Sequence, residues 1–153
     1  MLVLGIIILL SCFDNSLSDV LDFRDCGDAD YMPVESLIFN DCEIAPCMID
    51  LNQKSHTSLK LEVSKTVPQF SSMVATAEII QAGFSWKLKI SPSNPCDRWK
   101  CPLQPKKHHH EFFNTTIDFS PIKWKNPGRV RIEGKVNNIE SPIFCMEVTV
   151  RFF

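Results

Sequence analysis

Cys96-Asp97-Arg98-Trp99-Lys100-Cys101-Pro102-Leu103 decides how this chain is read. Two cysteines stand five positions apart, and the proline after the second has no N–H to give to a sheet ladder. Before this stretch, Phe84-Ser85-Trp86-Lys87-Leu88-Lys89-Ile90 alternates apolar and polar residues; after it, Phe113-Asn114-Thr115-Thr116-Ile117-Asp118-Phe119 does the same. Side chains of a strand point alternately to opposite faces, so each segment reads as a half-buried strand. The simplest arrangement is two strands joined through a cysteine-pinned loop.

The alternation continues outward in both directions. Residues 20–24 read as a short first strand with Leu21 and Phe23 on one face, and residues 35–41 bring Leu37 and Phe39 together. A short strand is expected over 48–51, then a polar loop over 52–56. Residues 59–63 carry the clearest period of two, and residues 73–81 place Ala75, Ala77 and Ile79 together, although their composition also tolerates a helix. Further on, Val130, Ile132 and Val136 oppose Arg129, Arg131, Glu133 and Lys135. In the last strand Phe144, Met146, Val148, Val150 and Phe152 oppose Cys145, Glu147, Thr149 and Arg151. Many evenly spaced strands without a long amphipathic helix predict an all-β sandwich.

Residues 2–10 are almost wholly aliphatic, too short a run for a membrane span of about 20 residues and suited to the apolar core of a signal peptide. Its only positive charge is the amino terminus. Ser16 and Ser18 favour cleavage before Asp19, with a site near Cys12 or a buried first strand as alternatives, so residues 1–18 are expected to be a leader and 19–153 the domain. The leader would take Cys12 and Asp14 with it. That leaves 16 basic and 17 acidic side chains, one acid fewer than the 18 of the whole chain. Such a balance argues against bulk electrostatic attraction to nucleic acid or to an anionic membrane.

Six cysteines then remain: Cys26, Cys42, Cys47, Cys96, Cys101 and Cys145. Six allow fifteen pairings. Spacing favours the local pairs 42 with 47 and 96 with 101, which leaves Cys26 and Cys145 near the two ends. A closed loop of about 100 residues contributes roughly 4–5 kcal/mol through the unfolded chain's lost entropy. Zinc held by a Cys-x4-Cys pair is the alternative, and secretion favours disulfides over it.

The residues Asp25-Cys26-Gly27, Cys42-x4-Cys47 with Pro46, Cys96-x4-Cys101-Pro102-Leu103 and Phe144-Cys145 together resemble the ML (lipid-recognition) domain. The subgroup they resemble is that of the Niemann–Pick type C two-like sterol carriers, which includes mite group 2 allergens and insect lipid carriers. The resemblance spans the expected mature chain. It implies an immunoglobulin-like β-sandwich of two antiparallel sheets with an apolar cavity between them. It also implies the pairings Cys26–Cys145, Cys42–Cys47 and Cys96–Cys101. The ligand would be a sterol, fatty acid or other lipid, held without any cofactor or metal by a secreted monomer destined for the extracellular space or the lysosomal lumen. Sterol carriers of the family have a Val-Pro-Phe-Pro type segment before the cysteine matching Cys96. Here that segment, Phe84 to Ile90, contains no proline, and Leu88 stands where the pocket aromatic would sit.

Inward positions on the expected strands supply the candidate lipid-binding residues. From the first half these are Leu61, Val63, Phe70, Ala77 and Ile79; from the central segment Trp86, Leu88 and Ile90. Phe113, Ile117, Phe119, Pro121, Val148 and Val150 complete the set. The same residues would also fill an ordinary core. Strand ends near Phe70, Trp86 and Ile117 are expected to admit the ligand. Asn114-Thr115-Thr116 is an N-glycosylation sequon, and its use requires Asn114 to face solvent.

Three further features carry weaker signals. His108-His109-His110 has no carboxylate cluster beside it and reads as a solvated strand end next to Lys106 and Lys107, where protonation near pH 6 would add charge. Trp99 and Trp124 stand beside lysines and are expected to be exposed, as anchors for a membrane surface or a lipid-accepting receptor. No nucleophile elbow, His-Glu-x-x-His or phosphate-cradling loop is present. The expectation is therefore no enzyme; an innate-immune lipid co-receptor or allergen-like interaction module is the alternative to a carrier.

Overall fold

A computed structural model describes residues 21–28, 30–64, 66–103 and 109–153. The expected leader, Val20 and His108 lie outside them. Among the described residues nine strands form: β1 Arg24–Asp25, β2 Val34–Phe39, β3 Cys47–Ile49, β4 Lys54–Val63, β5 Val74–Gln81, β6 Phe84–Ser91, β7 His109–Asp118, β8 Gly128–Lys135 and β9 Phe144–Phe152. A single 3-10 turn, Pro95–Asp97, interrupts the loop between β6 and β7, with the Asn94 side chain accepting from the Cys96 N–H.

The strands make two packed layers. One runs β1-β9-β8-β5-β6, and the other continues from β6 through β7 and β4 to β2. The link is β6 itself. Its residues Phe84 to Leu88 pair with β5, whereas Lys89 to Ser91 pair with β7 opposite Asp118 to Thr116. Pro92 follows at once, and a residue without an N–H ends the ladder there. The β5–β6 hairpin turns on Ala82 and Gly83, at φ 47° and 82°; two successive positive φ values match the right-handed strand twist.

Neighbouring strands are antiparallel, with one exception: β3 runs parallel to β9. The edge of β9 away from β8 is covered by two short pieces, β1 opposite Glu147 and Met146, and β3 opposite Val150 to Phe152. Covering that edge leaves fewer unpaired backbone groups for another chain to join. Disulfides hold both pieces in place. Cys26–Cys145 closes a separation of 119 residues beside β1, and Cys42–Cys47 pins the corner that leads into β3. Cys96–Cys101 closes the loop between β6 and β7.

Several sequence expectations change. Residues 52–56 are not all loop: β4 already begins at Lys54, because β7 is long enough to pair with it from Asp118 back to His109. The first strand is confined to Arg24–Asp25, although Leu21 is buried. The expected strand over 73–81 does form, as β5 from Val74, with Ala75, Ala77, Ile79 and Gln81 inward. Trp99 is buried, not exposed: its indole N–H donates to the Phe112 carbonyl at 2.9 Å and its ring meets Phe113 edge-on.

The outer face of the β5-β8-β9 layer is held by charge. Glu147 has outward parity yet is only 3 % exposed. It accepts from Arg131 Nε at 2.8 Å and from Arg129 Nη1 at 3.1 Å. Arg131 also reaches Glu78 at 3.1 Å. Hydrogen bonding of Arg131 to the Glu147 carboxylate is the main cause that raises the Arg131 pKa above its ordinary value, so the guanidinium stays charged.

Gly134 in β8 has no room for a side chain, because Phe144 of the paired strand β9 and Met73 just before β5 fill the space over it. A Cβ there would stand 2.6 Å from Met73 Sδ and 2.8 Å from Phe144 Cδ1. Gly134→Ala should therefore cost about 1–3 kcal/mol by overpacking, read as a lowered urea midpoint at unchanged slope. A variant as stable as the parent would mean that Met73 and the Phe144 ring can yield.

Candidate functional site

Strand periodicity brings the inward residues of the two layers face to face. Leu61 and Val63 on β4, with Phe113 and Ile117 on β7 and Phe119 just beyond it, come from one side. Ala77 and Ile79 on β5, Leu88 on β6, and Val148 and Val150 on β9 come from the other. All of these are buried, as is Phe70. Trp86 and Ile90 are half-buried against the same core. Pro121 is exposed, and its neighbour Ile122 takes the inward place.

Aromatic pairs bridge the layers. Phe119 packs on Phe152 of β9 at 5.8 Å and on Phe39 of β2 at 6.4 Å. Phe113 of β7 meets Phe144 of β9 at 5.7 Å, with Trp99 behind it at 6.3 Å. Each inter-layer pair adds about 0.5–1.5 kcal/mol beyond area burial. Several contributors, Phe39, Leu59, Ile132 and Ile122 among them, were absent from the expected set although alternation marked the first three.

The layers part where β6 leaves β7. Phe84 and Trp86 stand on the inward side of β6 in the half that pairs only with β5. Opposite them runs the loop of residues 119–127, and Trp124 meets the Trp86 ring edge-on at 5.3 Å. Gln81 tethers this loop. Its Nε2 donates to the Asn126 carbonyl at 2.6 Å and the Trp124 carbonyl at 3.4 Å, while the buried Oε1 has no hydrogen-bond partner among the described residues. Asp118 accepts from the Ser120 N–H at 2.9 Å at the start of the loop; hydrogen bonding from the Ser120 side chain first, and from its N–H second, lowers the Asp118 pKa below its ordinary value.

Phe70 precedes the far end of β5, whereas Trp86 lies opposite Ile79 near the hairpin, so the two do not share an opening. The histidines lie at the start of β7, away from Trp124. His110 Nδ1 is 3.0 Å from Glu35 Oε2, and His109 Nε2 is 3.5 Å from Glu111 Oε1. Among the described residues no group of three or more His, Cys, Asp or Glu is disposed to hold a metal ion. Asn114 is exposed on the outer face of the β2-β4-β7 layer, beside a groove of about 280 Å³. A larger groove of about 640 Å³ lies at the Cys42–Cys47 corner, lined in part by Ile44, Met48, Phe153, Asp41 and Asp50.

The model of the ML domain matches residues 20–152. Among solved structures, a Niemann-Pick type C2 protein from Japanese carpenter ant superposes with a TM-score of 0.67 at 17 % identity, covering 86 % of this chain and 99 % of that one. The Pseudomonas fluorescens alkylpurine DNA glycosylase AlkC, bound to DNA containing an abasic site analog, aligns with a TM-score of 0.40 at 17 % identity, over 79 % of this chain and 30 % of that one, and bears on nothing further. A comparison with curated protein sequences gives no match.

The tether generates a direct prediction. Gln81→Ala removes both hydrogen bonds to the loop, each contributing about 0.5–1.5 kcal/mol. Amide exchange over residues 122–126 should then rise by about tenfold, with a change in tryptophan emission as Trp124 leaves Trp86. Unchanged exchange would show that Trp86 packing alone holds the loop.

Proposed function

Because the chain belongs to the ML domain family, a family of lipid-binding domains, we propose that it is a secreted carrier that holds one lipid between its two layers. The observation that carries this reading is the parting of the layers along β6. Backbone pairing joins them over only three residues of that strand, and the space beyond is closed by side chains, Trp86 against Trp124. Side-chain contacts can separate without breaking a ladder. A lipid entering there meets an interior of apolar residues from both layers, and burial supplies roughly 25 cal/mol per Å² before the costs of binding.

The cargo is a sterol, fatty acid or other lipid, and the lining residues are those inward positions that meet at the centre, Ile79, Leu88, Phe113, Ile117 and Val148 foremost. Leu88 in place of an aromatic leaves more room beside Ala77, its cross-strand partner. The role is carriage rather than catalysis. Three disulfides suit an oxidising compartment, so residues 1–18 act as a cleaved leader, the domain works extracellularly or in a lysosomal lumen, and Asn114 carries a glycan. It acts as a monomer.

Native mass spectrometry of the protein secreted from eukaryotic cells, followed by organic extraction, tests this directly. The expected result is a mass lacking residues 1–18, with one lipid bound per chain. Ile117→Glu should abolish cargo, because a carboxylate between the layers is desolvated without a partner. Ile117→Phe, which keeps the interior apolar but fills it, should reduce uptake in a chain that still folds. A protein that leaves cells empty and takes up no offered sterol or fatty acid would overturn the carrier in favour of a pure interaction module.

A further inference from the structure

Phe84 is 67 % exposed and Trp124 58 % exposed. With Trp86 between them, at 6.0 Å from Phe84 and 5.3 Å from Trp124, they make one continuous aromatic surface at the β5–β6 hairpin. Lys123 and Lys125 flank Trp124 and are both exposed. Among the described residues neither has a carboxylate within ion-pair distance, although Asp118 lines the same shallow groove as Lys123. Lys87 and Lys89 border the surface on the outer face of β6, where Glu78 and Asp118 stand opposite them across the ladder. The uncompensated charge of this end is therefore positive.

We propose that this aromatic and lysine surface docks the protein on an anionic lipid membrane. Rings with one apolar body and one polar tip settle at the headgroup level of a bilayer. Lysine stems lie along the apolar part while their ammonium groups reach the phosphates. Charge selects this end over the other exposed apolar cluster: Ile44, Met48 and Phe153 share their groove with Asp41 and Asp50, which anionic headgroups repel, and with Lys54 and His56 as its basic side chains. The Gln81 tether holds Trp124 in a fixed place, so less ordering is required on contact. Docking needs no cargo. Its use, to bring the parting of the layers against the bilayer, rests on the carrier reading.

The test is flotation of the secreted, full-length protein with vesicles of phosphatidylcholine alone or mixed with phosphatidylserine. Binding is expected on the mixed vesicles and should weaken as salt rises. The double change Lys123→Gln and Lys125→Gln should lower partitioning by about thirtyfold, two lysines at about 1 kcal/mol each. Trp124→Ala should lower it as well. Quenching of tryptophan emission by brominated acyl chains reads insertion in the unaltered protein, so no variant has to fold for the answer to be clear. Absence of binding or of quenching, equal binding to both vesicles, or capture only by a membrane protein would each overturn the docking surface. Vesicle binding by a protein that takes up no lipid would sink the carrier and leave the docking surface standing; cargo without vesicle binding would do the reverse.

Discussion

The hydrogen bonds of β6 are the constraint on which the other features depend. Instead of pairing along both edges over its whole length, β6 gives its first five residues to β5 and its last three to β7. That division joins the layers at one edge and forces them apart along the rest of the strand. Everything inward at the hairpin end, Phe84 and Trp86 above all, is then left without a strand opposite it. Trp124 supplies the missing neighbour from a loop, and Gln81 holds that loop through its amide.

The remainder of the molecule resists the splaying that this arrangement invites. The edge of β9 is covered by β1 and β3, and Cys26–Cys145 ties the first strand to the last. Phe119 on Phe152 and Phe113 on Phe144 cross between the layers. Outside, Glu147 gathers Arg129 and Arg131 into a pinned outer face. Rigid walls with one soft side-chain closure suit the release and capture of an apolar guest, because only the closure has to move.

How much was legible depended on whether the signal was periodic. Leu61, Ile79, Phe113, Ile117 and Val150 fall inside because strict alternation fixes parity once a strand is recognised. Ser55 and Thr57 share that parity but are polar, so composition alone points to a loop at the start of β4, and pairing with β7 overrides it. Trp99 was misplaced for a similar reason. Its lysine neighbour suggests solvent, and only the Phe112 carbonyl, brought near by the disulfide loop, gives the indole N–H a buried partner. Pro121 and Ile122 exchanged places because a loop carries no period to count by.

The all-β class, the parity of the long strands, the local cysteine pairs and, through cysteine spacing, the resemblance to the ML domain are all legible in the amino-acid order. These follow from covalent order and from the two-residue repeat of an extended chain. Tertiary structure alone decided where β6 changes layers, that Phe70 and Trp86 lie toward opposite ends, that Glu147 is buried under arginines, and that Phe84, Trp86 and Trp124 form one surface. Those are outcomes of which strand meets which. Hydrogen-bond partners distant along the chain are chosen by the packing of the whole molecule, and no local pattern records the choice.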